Sequence, residues 1–237
     1  MPRFSICIPT YDMGGYGHTY LEQMFNDLLL QTVQDFEVVI SDQSTTSLTQ
    51  ELCLAYADKL NIRYFSDFYN RGKAAANINQ CMKYAEGEII KILYEDDHFV
   101  RTDALEILDG HFKNGAKWTI NAFTHSNEEK QILEHPRIPY YDDAVIIGRN
   151  SVGNPSNITV INTEDKLYMD ESILYVVDCE YYFCLNKKYG PPVVVTDCLV
   201  SARHHPTSLV NDPSVIALLE PEVNYCLKKH NLKVIQQ

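Results

Sequence analysis

Three consecutive carboxylates end an apolar run in this chain of 237 residues. Residues 89–99 read IIKILYEDDHF, so Glu95, Asp96 and Asp97 follow almost directly on IIKIL. Like charges repel one another, and the repulsion grows near low-dielectric material. A positive partner is therefore expected, and two carboxylates at a strand end suit a hard divalent cation such as Mg²⁺ or Mn²⁺. The alternative is an acidic turn that binds nothing.

A basic segment upstream complements these carboxylates. Arg71, Gly72 and Lys73 stand where a helical pattern begins, which places positive charge beside free backbone N–H groups. Together with a divalent cation, such a segment suits a diphosphate. The sequence lacks both the phosphate-loop motif and the glycine motif of dinucleotide-binding folds, so neither of those chemistries is indicated.

Strand and helix patterns alternate through the first half of the chain and must position these residues. Strand-like runs lie at 4–9, 36–41, 62–65, 89–93 and 117–123, and helical patterns lie at 19–31, 47–60, 70–85 and 102–112. Thr19 and Glu22 form a predicted capping box for the first helix. This alternation predicts an α/β fold with a mostly parallel, twisted sheet and helices on both faces.

The chemically interesting residues follow the strands of this predicted sheet. They are Pro9-Thr10-Tyr11-Asp12, Asp42, Asn70-Arg71 and Glu95-Asp96-Asp97. In such sheets ligands bind beyond the carboxyl ends of the strands. Because a chance scatter of charges would also populate the opposite edge, this placement argues against the acidic turn that binds nothing.

The second half of the chain changes character from about residue 124. A polar, proline-bearing segment at about 125–150 predicts a long loop or lid. A turn and strand, a helix from about Asp178 to Tyr189, and two further apolar runs follow it. We interpret residues 124–237 as an α+β lobe that returns to the sheet, so that 1–237 form one domain.

Composition limits the class of partner. The 20 basic and 32 acidic residues give a formal charge of −12, which argues against nucleic acid or an anionic membrane as the main partner. Seven dispersed cysteines without a C-x-x-C pair predict reduced thiols in a cytoplasmic protein. No apolar stretch is long enough for a transmembrane segment, and the N-terminus lacks the pattern of a signal peptide. Peripheral membrane association through the acceptor is an open alternative.

Three segments of the first half resemble glycosyltransferase family two, which has the GT-A fold. They are PTYD, QTVQDFEVVISDQS and NRGKAAANINQCMKYAEGEIIKILYEDD, and the match covers residues 4–100 in order and spacing. Later segments, GNPS, VDCEYYFCLNKKYG and SARHH, are similar to downstream elements of bacterial members. The resemblance implies inverting transfer of a sugar from a nucleotide-diphosphate sugar donor to a hydroxyl of a carbohydrate or glycoconjugate acceptor, with Mn²⁺ or Mg²⁺. It also implies that residues 1–123 bind the donor and that 124–237 form the acceptor and catalytic half.

Residue by residue, the resemblance implies a set of donor contacts. The nucleotide would be lined by Pro9, Thr10 and Tyr11, with Asp12 beside them. Asp42 would form a hydrogen bond with the base, and Asn70 and Arg71 would lie near the ribose and diphosphate. Tyr94 stands where the family has the first Asp of its D-x-D motif, so the ribose contact of that Asp would be lost or would shift to Glu95. Asp12, Gln43 and Val177 also depart from the family pattern, and these departures leave the donor's identity open.

The same resemblance implies a metal site and a base. Asp96 matches the metal-binding Asp, Asp97 follows it, and His205 matches a late His that reaches the metal or diphosphate in some members. Asp178 matches the general base, with Glu180 as its rival. Purely structural roles stay open: Asp42 and Asp178 as helix caps, Asn70 to Gly72 and GNPS as turns, and His204 and His205 as surface residues.

Two other functions remain as alternatives. A nucleotidyltransferase that makes sugar nucleotides uses a related sheet, but it should carry a glycine-rich loop with a Lys after the first strand. The segment PTYDMGGYGHTY has glycines and neither Lys nor Arg. A non-catalytic relative that binds nucleotide or carbohydrate is the other alternative.

Overall fold

The apolar runs form eight strands of one sheet. In the computed structural model, which describes residues 1–204 and 212–233, the strands are β1 (Phe4–Thr10), β2 (Phe36–Asp42), β3 (Ile62–Ser66), β4 (Ile89–Ile92), β5 (His98–Phe99), β6 (Trp118–Ser126), β7 (Ile158–Ile161) and β8 (Val193–Arg203). Their order is β3-β2-β1-β4-β7-β6-β8-β5. β1, β2 and β4 are buried along almost their whole length, as expected for strands covered on both faces.

The sheet is largely parallel and becomes mixed in the second half of the chain. β3, β2, β1 and β4 run parallel, as do β6 and β8, whereas β7 runs antiparallel to both of its neighbours. β5 pairs antiparallel with β8, so the turn after β4 lies beside the end of β8. The predicted α/β fold class, with a twisted and mostly parallel sheet, is confirmed.

The helices cover both faces of the sheet. They are α1 (Gly17–Leu29), α2 (Leu48–Tyr56), α3 (Ala74–Tyr84), α4 (Ala104–Lys113), α5 (Val177–Tyr189), α6 (Pro213–Ile216) and α7 (Leu219–Lys229). Apolar side chains of α1 and α4 belong to one core cluster, and those of α3 and α5 belong to another on the opposite face. In the described part of the chain, no helix combines the length and the apolar character that a membrane crossing requires.

The start of α1 differs from the sequence prediction. The helix begins at Gly17, and Tyr16 occupies the N-cap position without a side-chain hydrogen bond. Thr19 therefore lies inside the helix, and the capping box with Glu22 is wrong. The reason is the preceding turn at Met13–Gly15, whose positive φ angles bring the chain into the helix earlier than the apolar pattern indicates.

Part of the predicted loop at 125–150 packs against the sheet. β6 continues to Ser126, and isolated bridges join Phe123 to Arg137 and Ser126 to Ile132. A short 3₁₀ helix at Asp143–Ile147 buries two of its apolar side chains. Whether this segment moves when a ligand binds stays a prediction.

Candidate active site

The parallel register brings the ends of β1, β2 and β3 into one row. Thr10 pairs with Asp42, and Asp42 pairs with Ser66. The buried Asp42 carboxylate accepts hydrogen bonds from Thr10 Oγ1 at 2.9 Å, Ser44 N at 2.9 Å and Tyr64 Oη at 2.7 Å. Helix α2 has Ser47 at its N-cap position, so the proposal that Asp42 caps this helix is wrong. Asp42 instead orders the turn that follows β2.

Asp12 joins the first two strand ends to the basic segment. Its carboxylate accepts hydrogen bonds from the backbone N and Oγ1 of Thr45 and from Arg71 Nη2 at 2.7 Å. Partial burial would raise the pKa of Asp12, but these hydrogen bonds and the Arg71 charge outweigh it and hold the pKa at about 2. Arg71 is thereby held over the edge of the sheet, where its guanidinium remains partly exposed.

Asn70 and Gly72 build the turn that leads into α3. Gly72 has φ of +84°, which favours glycine, and its N–H donates to Gln43 Oε1 at 3.1 Å. Asn70 Nδ2 donates to Asp67 Oδ1 at 2.8 Å. These residues do form the strand-to-helix turn that was one of the alternatives. Their contacts with a ribose or diphosphate stay a prediction.

Glu95 holds the backbone of Tyr11 in place through a hydrogen bond. Its side chain is buried, and Oε1 accepts the Tyr11 N–H at 2.9 Å. No described residue bonds Oε2, although that atom is buried too. Burial raises the pKa of Glu95 well above its usual range, and the charges of Asp96 and two other carboxylates add to the shift.

Asp97 is buried, like Glu95, and is held by donors from two other parts of the chain. Asn154 Nδ2 donates to its Oδ2 at 2.8 Å, and the Arg203 backbone N donates to its Oδ1 at 3.2 Å. Burial raises the pKa of Asp97, and the neighbouring charge of Asp96 raises it further. Asp96 itself is partly exposed, and its backbone carbonyl accepts from Arg203 Nε at 2.8 Å. Two carboxylates that repel one another therefore stand at the carboxyl end of β4.

The residues around this turn fit a divalent cation. Asn154 Oδ1 is buried and receives no hydrogen bond from any described group, which leaves a hard oxygen ligand beside Asp97. Mg²⁺ and Mn²⁺ favour carboxylate and amide oxygens and commonly take one or two protein carboxylates plus phosphate oxygens. A cation here would also relieve the repulsion between Asp96 and Asp97. His205 lies outside the described residues.

A buried lysine supports the turn from within the sheet. Lys91, the charged residue of IIKIL, is fully buried, and its Nζ donates to the backbone carbonyl of Ser156. Burial lowers its pKa to about 7, and the charge of Asp97 opposes that shift. Lys91 therefore anchors the segment after the long loop close to the acidic turn.

Asp178 lies in the first turn of α5. Val176 is the N-cap residue, so the cap role proposed for Asp178 is wrong; Asp178 is the second helical residue, where a carboxylate suits the helix dipole. Cys179 N donates to its Oδ1 at 2.8 Å and Asn150 Nδ2 donates to its Oδ2 at 2.9 Å. Burial raises the pKa of Asp178 to about 6, with the two hydrogen bonds acting in the opposite direction.

One short segment connects the acidic turn to Asp178. Asn150 bonds Asp178, Asn154 bonds Asp97, and Ser156 Oγ accepts the Tyr94 N–H at 2.9 Å. The phenol of Tyr94 lies within electrostatic range of both groups, since burial and then the charges of Asp178 and Asp97 raise its pKa. The structure thus brings the predicted metal carboxylates and the predicted base into one neighbourhood.

Sequence reasoning missed several residues of this site. Asn150 and Lys91 received no role, and Asn154 and Arg203 were quoted only within GNPS and SARHH. The Arg203 guanidinium lies 4.3 Å from the centre of the Tyr20 ring and also bonds Gln23 and Glu128, which links β8, α1 and the long loop. The asparagines of N-S-V-G-N-P-S were the available signal, because Asn side chains in turns often bind neighbouring groups.

The family comparison decides what kind of protein this site belongs to. The family model described as "Glycosyl transferase family 2" matches residues 5–169, more than half of the chain. The chain belongs to glycosyl transferase family 2. The family predicted from the resemblance is therefore confirmed.

The curated proteins similar to this chain include glycosyltransferases of two bacteria. The poly(ribitol-phosphate) beta-N-acetylglucosaminyltransferase TarS of Staphylococcus aureus strain Mu50 is 30% identical over 214 residues, covering 80% of this chain and 36% of TarS. Glycosyltransferase GlyG of Streptococcus pneumoniae serotype 4 is 31% identical over 104 residues, 44% of this chain and 33% of GlyG. The chain therefore spans about a third of the length of these relatives.

Solved structures of glycosyltransferases share the fold. S. aureus TarS 1-349 in complex with UDP superimposes with a TM-score of 0.67 at 18% identity, covering 98% of this chain and 67% of that one. The mannosyltransferase PcManGT from Pyrobaculum calidifontis, in complex with GDP-Man and Mn2+, gives a TM-score of 0.63 at 13% identity, with 97% and 75% covered. These superpositions establish that the chain shares the fold of these glycosyltransferase structures.

Glu180, the rival base in this family two site, points elsewhere. Its side chain is 1% exposed and accepts hydrogen bonds from Lys229 Nζ at 2.7 Å and His230 Nε2 at 2.8 Å. Glu180 therefore belongs to the interface between α5 and α7. Asp178 is the partly exposed carboxylate of this helix turn, and its role as the base stays a prediction.

Proposed function

We propose that this chain transfers a sugar from a nucleotide-diphosphate sugar to an acceptor hydroxyl with inversion, in polysaccharide or glycoconjugate synthesis. The observation that carries the proposal is the segment from Asn150 to Ser156. It holds the acidic turn with one asparagine and the Asp178 carboxylate with another. An inverting displacement needs a leaving-group site and a base near the same reacting carbon, and a single segment that bonds both groups supports their placement in one site.

We infer that residues 1–123 bind the donor. The row of Thr10, Asp42 and Asp12 would hold the nucleoside, with Pro9 and the half-exposed Tyr11 beside it. A cavity of about 250 Å³ lined by Asp12, Gly14, Gly15, His18, Ser44, Thr45, Thr46, Leu48 and Thr49 lies at this edge. The Arg71 guanidinium, held by Asp12, would face the diphosphate as a fixed positive charge. Glu95 would support these contacts through the Tyr11 backbone.

Asp96 and Asp97, with Asn154 Oδ1, would hold Mn²⁺ or Mg²⁺. When bound, the cation would neutralise charge that develops on the leaving diphosphate. Asp97 is fixed for this role by donors from two different parts of the chain, Asn154 and Arg203. Asp96, being partly exposed, would offer its carboxylate from the surface of the site.

Asp178 would accept the proton of the acceptor hydroxyl at a carboxylate oxygen. Its pKa of about 6 leaves it mostly ionised at neutral pH, so it can act as a base without prior deprotonation. Residues 124–237, with the segment at 125–150 as a lid, would form the acceptor side. A glycoconjugate acceptor and a UDP-linked donor are the first choices to test, since TarS is named for poly(ribitol-phosphate) and a TarS structure holds UDP-GlcNAc.

Incubation with a panel of UDP- and GDP-sugars, Mn²⁺ and acceptor fragments tests the proposal. We expect release of nucleoside diphosphate, reduced about 10²–10⁴-fold in Asp178→Asn, because general-base catalysis contributes that range. Donor binding should stay nearly unchanged. Asp165→Asn, at an exposed carboxylate that pairs with Lys188, is the matched control and should retain activity.

Other outcomes would decide against the proposal. Release of pyrophosphate would indicate the nucleotidyltransferase alternative, and donor binding without any release would indicate a non-catalytic relative. Normal turnover in Asp178→Asn together with an inactive Glu180→Gln would transfer the base role to Glu180.

A further inference from the structure

A cluster of three potential metal ligands lies away from the acidic turn, between α5 and the end of α7. Glu180 and Cys184 stand four residues apart on one face of α5, and His230 follows α7 directly. One ligand atom of each residue lies within 4.8 Å of the other two. This is the only group of three such side chains with that spacing among residues 1–204 and 212–233.

The separations of the ligand atoms approach those of a tetrahedral zinc site. Zinc bonds of about 2.0–2.3 Å imply ligand atoms roughly 3.3–3.6 Å apart. Here Cys184 Sγ lies 3.2 Å from Glu180 Oε1 and 3.8 Å from His230 Nε2, and Glu180 Oε1 lies 2.8 Å from His230 Nε2. Shifts of about half an ångström or less would accommodate the ion, which side-chain rotations can supply.

Lys229 supplies the positive charge of this cluster when no metal is bound. Its Nζ bonds Glu180 Oε1 at 2.7 Å and Asp170 Oδ2 at 2.8 Å. The lysine side chain is 38% exposed, whereas the Glu180 side chain is 1% exposed and that of His230 is 9% exposed. Lys229 can therefore move toward solvent and keep Asp170 as its partner while a cation takes its place beside Glu180.

We propose that Glu180, Cys184 and His230 form a binding site for Zn²⁺, in which the metal and the Lys229 ammonium compete for the same buried carboxylate. The mixture of oxygen, sulfur and nitrogen ligands favours zinc over Mg²⁺ or Mn²⁺, which prefer oxygen alone. Binding converts the Cys184 thiol into a thiolate and releases its proton to solvent. A bound ion joins α5 to α7, and α5 carries Asp178 in its first turn.

Cobalt titration under reducing conditions, without nucleotide, tests this site. Co²⁺ replaces zinc in such sites, and a thiolate ligand gives it a charge-transfer absorption in the near ultraviolet that oxygen ligands at Asp96 and Asp97 cannot give. We expect about one equivalent of Co²⁺ to produce this band, and Zn²⁺ to displace it. Cys184→Ser and His230→Gln should lose the band, and Cys198→Ser, which changes another partly buried cysteine, should keep it.

A further variant tests the competition. Lys229→Met removes the ammonium that opposes a divalent cation at short range, so Co²⁺ affinity should rise by about tenfold or more. This variant also keeps the proposal falsifiable if Cys184→Ser does not fold. Three results would overturn the proposal. They are the absence of a thiolate band in the wild-type titration, a band that survives in Cys184→Ser, and an unchanged Co²⁺ affinity in Lys229→Met. None of these measurements depends on sugar transfer.

Discussion

The hydrogen bond from Asn150 to Asp178 gives the most specific test of the proposed base. Replacing Asn150 by Ala removes a donor 2.9 Å from Asp178 Oδ2, whereas the second donor, Cys179 N, remains. A hydrogen bond stabilises the ionised carboxylate, so its loss must raise the pKa of Asp178 above the value of about 6. Because only the ionised form accepts a proton, activity should fall on the acidic side.

The size of this change follows from the exposure of the carboxylate. A hydrogen bond to a charged group contributes about 1.5–3 kcal/mol when fully buried. Asp178 is partly exposed, so water replaces part of the interaction that is lost with Asn150. The expected loss is therefore about 1.4 kcal/mol, which raises the pKa of Asp178 by about one unit. The base would then titrate near pH 7. Its ionised fraction would fall about threefold at pH 6.5 and by about a tenth or less at pH 8.

The assay is the pH dependence of kcat/KM between about pH 5 and 9, measured through nucleoside diphosphate release. The acidic limb of Asn150→Ala should move up by about one unit, and the two proteins should converge at pH 8 to 9. Asn61→Ala, at an exposed asparagine before β3, is the control and should follow the wild type. An equal loss at every pH would indicate collapse of the loop, and an unchanged limb would refute the role of Asp178 as the titrating base.

Three further predictions concern the donor side. Asp96→Ala should abolish Mn²⁺-dependent turnover with an unchanged circular dichroism spectrum; full activity in this variant, or in excess chelator, would exclude the metal role. Residues 125–150 should gain protection from hydrogen exchange when nucleoside diphosphate binds, and equally strong protection in both states would contradict a lid. Gly17→Ala should weaken donor binding, measured by calorimetry, because the added Cβ would lie 2.3 Å from the Tyr11 backbone oxygen and 3.1 Å from Glu95 Oε2. Unchanged donor affinity in Gly17→Ala would show that the position of the Tyr11 backbone is unimportant.

The sequence alone determined the fold class and the order of most strands and helices, because apolar spacing and turn residues act over a few neighbouring positions. Apolar runs of four to seven residues predict β1 to β4 and β6, and the helical spacing between and after them predicts α1 to α5, within a few positions. The two-residue strand β5 and the helices α6 and α7 are not among the predicted elements. Residues directly after parallel strands must share one edge of the sheet, so the row of Thr10 and Asp42 and the turn at Asp96 and Asp97 could be placed without coordinates. Thr19 shows the limit, since a glycine turn moved the helix start that its pattern indicated.

The tertiary structure alone decided which side chains complete the site. Asn154 meets Asp97 across 57 positions of sequence, and Arg203 meets it across 106. Asp178 accepts a hydrogen bond from Asn150, and the local pattern does not show which group that asparagine would meet. Such pairs arise because β7 and β8 return to the sheet beside β4 and β6, and hydrogen-bond direction and burial exist only once that return is made.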